Sequence, residues 1–202
     1  MDLLTPAFQM VAVVILVSGA AKIVAPSGFA GLLTTFGVPG PRFVAIAAGV
    51  VELVLGAAAL VVGGRVLALA VGAAYLLFAG TVLVARRRGA PDCGCFGAVA
   101  APPSLLHVAL NVAAAAVALG AAAVAPGPVA VLDVLAEQPL AGVVYVGLLA
   151  LAAWLVVVLD TTGAVVLERV ASVARLGPTF RANAATGGVH RHGGRAGRKE
   201  LR

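Results

Sequence analysis

The residues best equipped for chemistry are Cys93 and Cys95, the only two cysteines in the chain, set in the stretch RRRGAPDCGCFGAVAAPPS that begins at Arg86. One glycine separates them. An extended i,i+2 pair spans about 7 Å between Cα atoms, whereas a relaxed disulfide wants about 5.5–6 Å. Gly94 tolerates the backbone conformations that would bring the two together. A ring that small is strained, and strained disulfides are the readily reduced kind. Arg86, Arg87 and Arg88 just upstream favour a thiolate. The spacing therefore reads as a redox pair. Two other readings stand beside it. One is a metal site using Cys93, Cys95 and His107, although metal sites want three or four donors and only two cysteines exist, so no metal is assigned. The other is a tight turn of small residues with no chemistry.

A second group of polar residues lies in otherwise apolar sequence, where a charge is costly and points to function. Glu52 stands in VVELVLG and Lys22 in SGAAKIV. At ~1.5 Å of rise per residue, Glu52 is about 14 Å and Lys22 about 5 Å from the same end of their spans. The lysine stem covers much of that difference, so a Lys22–Glu52 pair is expected. It serves either proton handling or a helix-to-helix clamp. His107 and Asn111 are four residues apart and share a helix face. Tyr75 falls at about the depth of Glu52. All five gather in the half of the membrane that adjoins the cysteines.

The elements that must position these residues follow from composition. Of 202 residues, 62% are apolar and 11% charged, and the mean hydropathy is +1.10. Soluble domains carry about 25% charged residues. So little polar surface cannot cover the chain in water, and its solvent is a lipid bilayer; no nucleic acid partner is expected. Five apolar stretches reach the ~20 residues that a spanning helix needs: 7–25, 43–63, 66–85, 104–125 and 141–159. The first is no cleavable signal, since it lacks a basic start and further spans follow. With no water to pair backbone groups in hydrocarbon, these runs must be helices. The expected fold is all-α: a four-helix transmembrane domain over 1–125, a Pro-rich loop over 126–140, a fifth helix and its extension over 141–174, and a disordered basic tail over 175–202. Abundant Ala and Gly suit close helix contact in lipid, which leaves the oligomeric state open.

Basic residues set the expected orientation. Lys22, Arg42, Arg86, Arg87, Arg88 and the eight from Arg169 onward, thirteen of the fourteen, fall on one side. Only Arg65 falls on the other. The count puts the N-terminus outside the cell membrane, and the tail and cysteine loop in the cytoplasm.

SGAAKIVAPSGFAGLLTTFGV, then VVELVLGAAAL, RRRGAPDCGCFG and LLHVALNVAA, together resemble the methylamine-utilisation MauE family, part of the DoxX-like group of redox-associated membrane proteins. The likeness runs over about residues 8–119. The family's C-G-C-F-G cysteines fall on Cys93 and Cys95, its span-one lysine on Lys22 and its span-two glutamate on Glu52. Where members often carry an arginine before the span-four asparagine, this chain has Leu110 before Asn111. The resemblance implies a multipass membrane protein tied to thiol–disulfide chemistry. In methylamine-utilising bacteria such proteins serve maturation of the disulfide-rich subunit of methylamine dehydrogenase, beside a thioredoxin-like partner. The expected function is thiol–disulfide exchange by Cys93 and Cys95 with such a partner or a membrane quinone. Glu52, His107 or Tyr75 would handle protons or line a quinone pocket. A transporter or assembly factor using Glu52 and Lys22, and a metal-handling protein using the cysteines and His107, are the alternatives.

Overall fold

The computed structural model describes residues 4–95 and 102–186. All of its regular structure is helical: α1 (Leu4–Val24), α2 (Ser27–Thr35), α3 (Pro41–Val61), α4 (Arg65–Arg87), α5 (Leu105–Ala123), α6 (Val131–Glu137) and α7 (Pro139–Thr186). Among the described residues, five helices are long and apolar enough to cross a membrane: α1, α3, α4, α5 and the Pro139–Gly163 part of α7. Each falls on one of the five expected stretches, shifted by a few residues. The protein is an integral membrane helical bundle. Two compact units divide the chain, Met1–Val165 and Val166–Arg202. Within the second, helix is described through residue 186; the rest of the expected basic tail lies outside the described residues.

Local sequence sets the helix ends. Gly40 adopts a left-handed conformation and Pro41 opens α3, a position where proline's missing N–H and fixed φ cost nothing. Ser104 caps α5 with its side chain. Arg86 and Arg87 close α4, at the end where the helix dipole favours cations.

The connection between the first two spans and the Pro-rich loop each contain a short helix. α2 forms because SGFAGLLTT has a small apolar face that it can bury: Leu32 and Leu33 are buried, and Leu32 packs with Phe29, Phe36, Ala85 and Ala90. α2 thus lies against the end of α4 and the start of the cysteine loop. α6 occupies part of the Pro-rich connection and buries none of its residues.

The core is built from small side chains. Phe8, Val11, Ala12 and Ile15 of α1 meet Val71 and Tyr75 of α4, with Ala115, Ala118, Ala121 and Ala122 of α5. Where α1 crosses α3, Gly19 and Gly49 let the backbones touch. A Cβ on Gly19 would lie 2.6 Å from the Gly49 carbonyl oxygen, and one on Gly49 would lie 2.8 Å from the Gly19 oxygen. In lipid, association rests on packing and polar contacts rather than on the hydrophobic effect, so such close approach is what holds helices together. Large apolar side chains such as Phe43, Val66, Leu77, Leu140 and Trp154 remain exposed, as a lipid-facing surface requires.

Candidate functional site

The cysteine loop leaves α4 and turns back over α2. Gly94 donates its N–H to Asp92 Oδ1 at 2.9 Å and sits at φ +63°, where a Cβ would lie 2.4 Å from the Phe29 nitrogen. Only glycine fits between the two cysteines, because the loop backbone rests on the α2 backbone. Both cysteines are free thiols: Cys93 is buried and Cys95 half-buried. Phe96 and Gly97, which complete the C-G-C-F-G motif, lie outside the described residues.

Beneath the loop is the expected ion pair. Lys22 Nζ donates to Glu52 Oε2 at 2.7 Å, with both side chains almost wholly buried. The close α1–α3 crossing makes that distance reachable. The same ammonium donates to Ser18 Oγ at 2.6 Å and to the Cys95 carbonyl at 3.1 Å. Its three donors are therefore all taken. Ser18 Oγ lies 2.9 Å from both Glu52 Oε2 and the Cys95 carbonyl oxygen, so its one proton serves either. The rings of Phe29 and Phe78 flank the ammonium at 5.3 and 5.6 Å, positions that favour a cation. A buried charge pair is tolerable only when fully hydrogen-bonded. Here part of that satisfaction comes from the backbone of Cys95, which ties the loop to α1 and α3.

His107 approaches the thiols from α5. As the last residue of a capping box it holds its backbone N–H 3.3 Å from Ser104 Oγ. Its Nδ1 lies 2.7 Å from Ser104 Oγ and 3.3 Å from the Ser104 nitrogen. Nδ1 accepts the Ser104 backbone N–H or, in the other tautomer, donates to Ser104 Oγ, and Nε2 is the ring nitrogen turned away from Ser104. Nε2 lies 3.5 Å from Asp160 Oδ1 of α7. Asp160 is buried, and this oxygen accepts no hydrogen bond among the described residues.

The two thiols are electrostatically unlike. Hydrogen bonding from the Cys95 thiol, and then from His107, outweighs burial and lowers the Cys93 thiol to about 5. The Cys95 thiol is raised well above its ordinary value, first by that same bond to Cys93 and then by burial. The bond between the two thiols thus favours the charge on Cys93 and the proton on Cys95. Arg86, Arg87 and Arg88, expected to supply the positive charge, are all exposed. Arg88 lies over the Phe36 ring at 5.0 Å and reaches the Thr35 carbonyl at 3.5 Å.

A cavity of about 160 Å³ opens beside both thiols, and Lys22, Glu52, Tyr75, Asn111 and Asp160 all reach its wall. The Tyr75 hydroxyl donates to the Val11 carbonyl at 2.7 Å, fastening α4 to α1. Asn111 Nδ2 donates to the His107 carbonyl one turn back, at 2.7 Å. Six of the residues singled out by sequence (Cys93, Cys95, Lys22, Glu52, Tyr75 and Asn111) line this one space; His107 adjoins it, and the arginines stand apart. Among the described residues, no group of three or more His, Cys, Asp or Glu is placed to hold a metal ion. Ser18 and Asp160 are the members that sequence reasoning missed. Ser18 carried no charge to mark it. Asp160 ends the apolar run VVVLD, and an acid at that position is the signal that would have found it.

In comparisons with known proteins, the family model described as methylamine utilisation protein MauE matches residues 3–126, well over half of the chain. No curated protein and no solved structure matches.

Proposed function

The chain belongs to the MauE family of methylamine utilisation proteins, and from that premise we propose that it is a membrane thiol–disulfide exchange protein working through Cys93 and Cys95. The observation that supports this reading best is the contrast between its thiols: a buried Cys93 lowered to about 5 and a half-buried Cys95 raised well above its usual value. Exchange proceeds by attack of a thiolate on a disulfide sulfur, and the thiol of lower pKa leaves faster. In the oxidised form, an incoming thiolate attacks the Cys95 sulfur, so that Cys93 is the leaving group. The Cys93–Cys95 bond breaks, a Cys95–partner disulfide forms, and Cys93 departs as the stabilised thiolate. A second partner thiolate then attacks the partner's own sulfur in the mixed disulfide and frees Cys95. The partner ends as a disulfide and this chain as a dithiol. In reverse, Cys93 thiolate attacks Cys95 in the mixed disulfide and releases the partner as a thiol. A thioredoxin-like protein, with its own paired cysteines, is the partner class that suits this cycle.

The Lys22–Ser18–Glu52 group then has a positioning role. It holds the Cys95 carbonyl while the sulfur changes partners. The transporter alternative leaves the tie between the ion pair and the cysteine backbone unused, and no observation favours it.

Single-cysteine variants test the assignment of roles. The probe is a thioredoxin-like protein reduced to one active-site cysteine and activated as its thionitrobenzoate disulfide. Cys93→Ser should form a lasting adduct through Cys95, whereas Cys95→Ser should form at least tenfold less. Wild-type chain should release the partner again as it closes its own disulfide. Equal trapping by both variants, or none by either, would remove the proposal.

A further inference from the structure

The site has a member outside the part of the chain that the family model matches. Asp160 belongs to α7, beyond residue 126, yet it lies buried on the wall of the cavity beside both cysteines. Its Oδ1 has no hydrogen-bond donor among the described residues and lies 3.5 Å from His107 Nε2. Burying a carboxylate without a donor is expensive, so an unpartnered one aimed at a histidine is retained for what it does when the histidine carries a proton. The distance is long for a hydrogen bond, as is common at sites awaiting their substrate.

We propose that Asp160 is a positioning residue for His107, holding the imidazole with Nε2 toward Cys93 and balancing the charge it gains when Cys93 ionises. The proposal rests on the thiol–disulfide reading of the same site. The proton step is simple. The S–H bond of Cys93 breaks and an N–H bond forms at Nε2, converting a thiol and a neutral imidazole into a thiolate and an imidazolium, with no electrons moved. The step starts from the tautomer in which Nδ1–H is donated to Ser104 Oγ at 2.7 Å; the Ser104 backbone N–H, which Nδ1 accepts at 3.3 Å in the other tautomer, is then released. Asp160 faces the proton on Nε2. The remaining ionisable neighbours are Lys22 of α1, Glu52 of α3, Tyr75 of α4 and Cys95 of the loop. Lys22 and Glu52 are engaged with each other, and the Tyr75 hydroxyl with Val11. None of the three takes up the Cys93 proton.

Two opposite signs are available, which makes the test sharp. Acting through His107, Asp160 lowers the pH at which Cys93 ionises; acting directly on the thiolate, its negative charge would raise it. The readout is the ultraviolet absorbance of the thiolate against pH, on the reduced full-length chain in lipid nanodiscs. It needs neither reagent access nor a redox partner. Asp160→Asn should raise the Cys93 midpoint by about one pH unit, a tenfold change in the thiolate-to-thiol ratio at fixed pH. Asp160→Glu should restore most of it. In a His107→Gln background, Asp160→Asn should move the midpoint by less than a third as much. Asp160→Leu gives the same reading should the Asn variant fail to fold. A midpoint that stays, falls, or rises equally without His107 would overturn the proposal. The outcome is separable from the redox reading: a chain that cycles its disulfide normally but ignores Asp160→Asn loses only this inference, whereas a chain that shows the shift but never forms the disulfide loses only the exchange function.

Discussion

At the scale of the residue, the site consists of two thiols made different by their neighbours. A thiol lowered on folding adds stability that is fully present above its unfolded value, near 8.5, and is lost as the pH falls through about 5. Cys95 is the first cause of that lowering, so Cys95→Ala should move the Cys93 midpoint upward by more than one pH unit. Thiolate absorbance measures this, and an unmoved midpoint would shift the credit to His107 alone. Much of this group was legible in sequence. Two cysteines in a chain with so few reactive side chains, a glutamate and a lysine in hydrocarbon, and a histidine and asparagine one turn apart all carry their own signal. The source of the thiol asymmetry was not legible, because the nearest basic residues along the chain, Arg86–Arg88, are turned out at the end of α4. The groups that act come from α5 and from the other cysteine.

At the scale of the element, one close helix crossing carries the site. Gly19 and Gly49 allow α1 and α3 to touch, and that contact brings Lys22 to Glu52. Removing one member of a buried ion pair leaves an uncompensated charge and typically costs about 3–5 kcal/mol, while replacing both with apolar or neutral groups costs far less. Lys22→Met and Glu52→Gln alone should each destabilise the bundle by roughly that amount. The double variant should recover more than half of it, as read from thermal unfolding in detergent. Recovery of stability without recovery of disulfide exchange is also expected, because the Cys95 carbonyl would still lack its ammonium donor. Additive losses would mean that the two side chains are not coupled. The five spans were legible from apolar length alone. α2 was not: its nine residues are too short for a periodic signal, and its helix is stabilised by packing on α4 and the cysteine loop.

At the scale of the whole molecule, the loop that carries the thiols joins α4 to α5 at one membrane face, and the basic-residue count predicts that this face is cytoplasmic. A membrane-impermeant maleimide should leave a Cys93→Ser variant unlabelled at Cys95 in intact cells and label it after lysis; labelling without lysis would reverse the orientation. The sequence marks the first four spans as the family's part, and the fifth bears no motif of its own. What ties the fifth to the site is Asp160, a contact that only the folded bundle brings about. The central claim is that Cys93 and Cys95 form one redox couple. Its most direct test is the thiol state of the wild-type chain in native membranes, quenched in acid, alkylated and weighed intact before and after reduction. The account predicts a population with both thiols blocked from alkylation and both released by reductant, a population that vanishes in Cys93→Ser. Two free thiols at every ambient redox potential would contradict it.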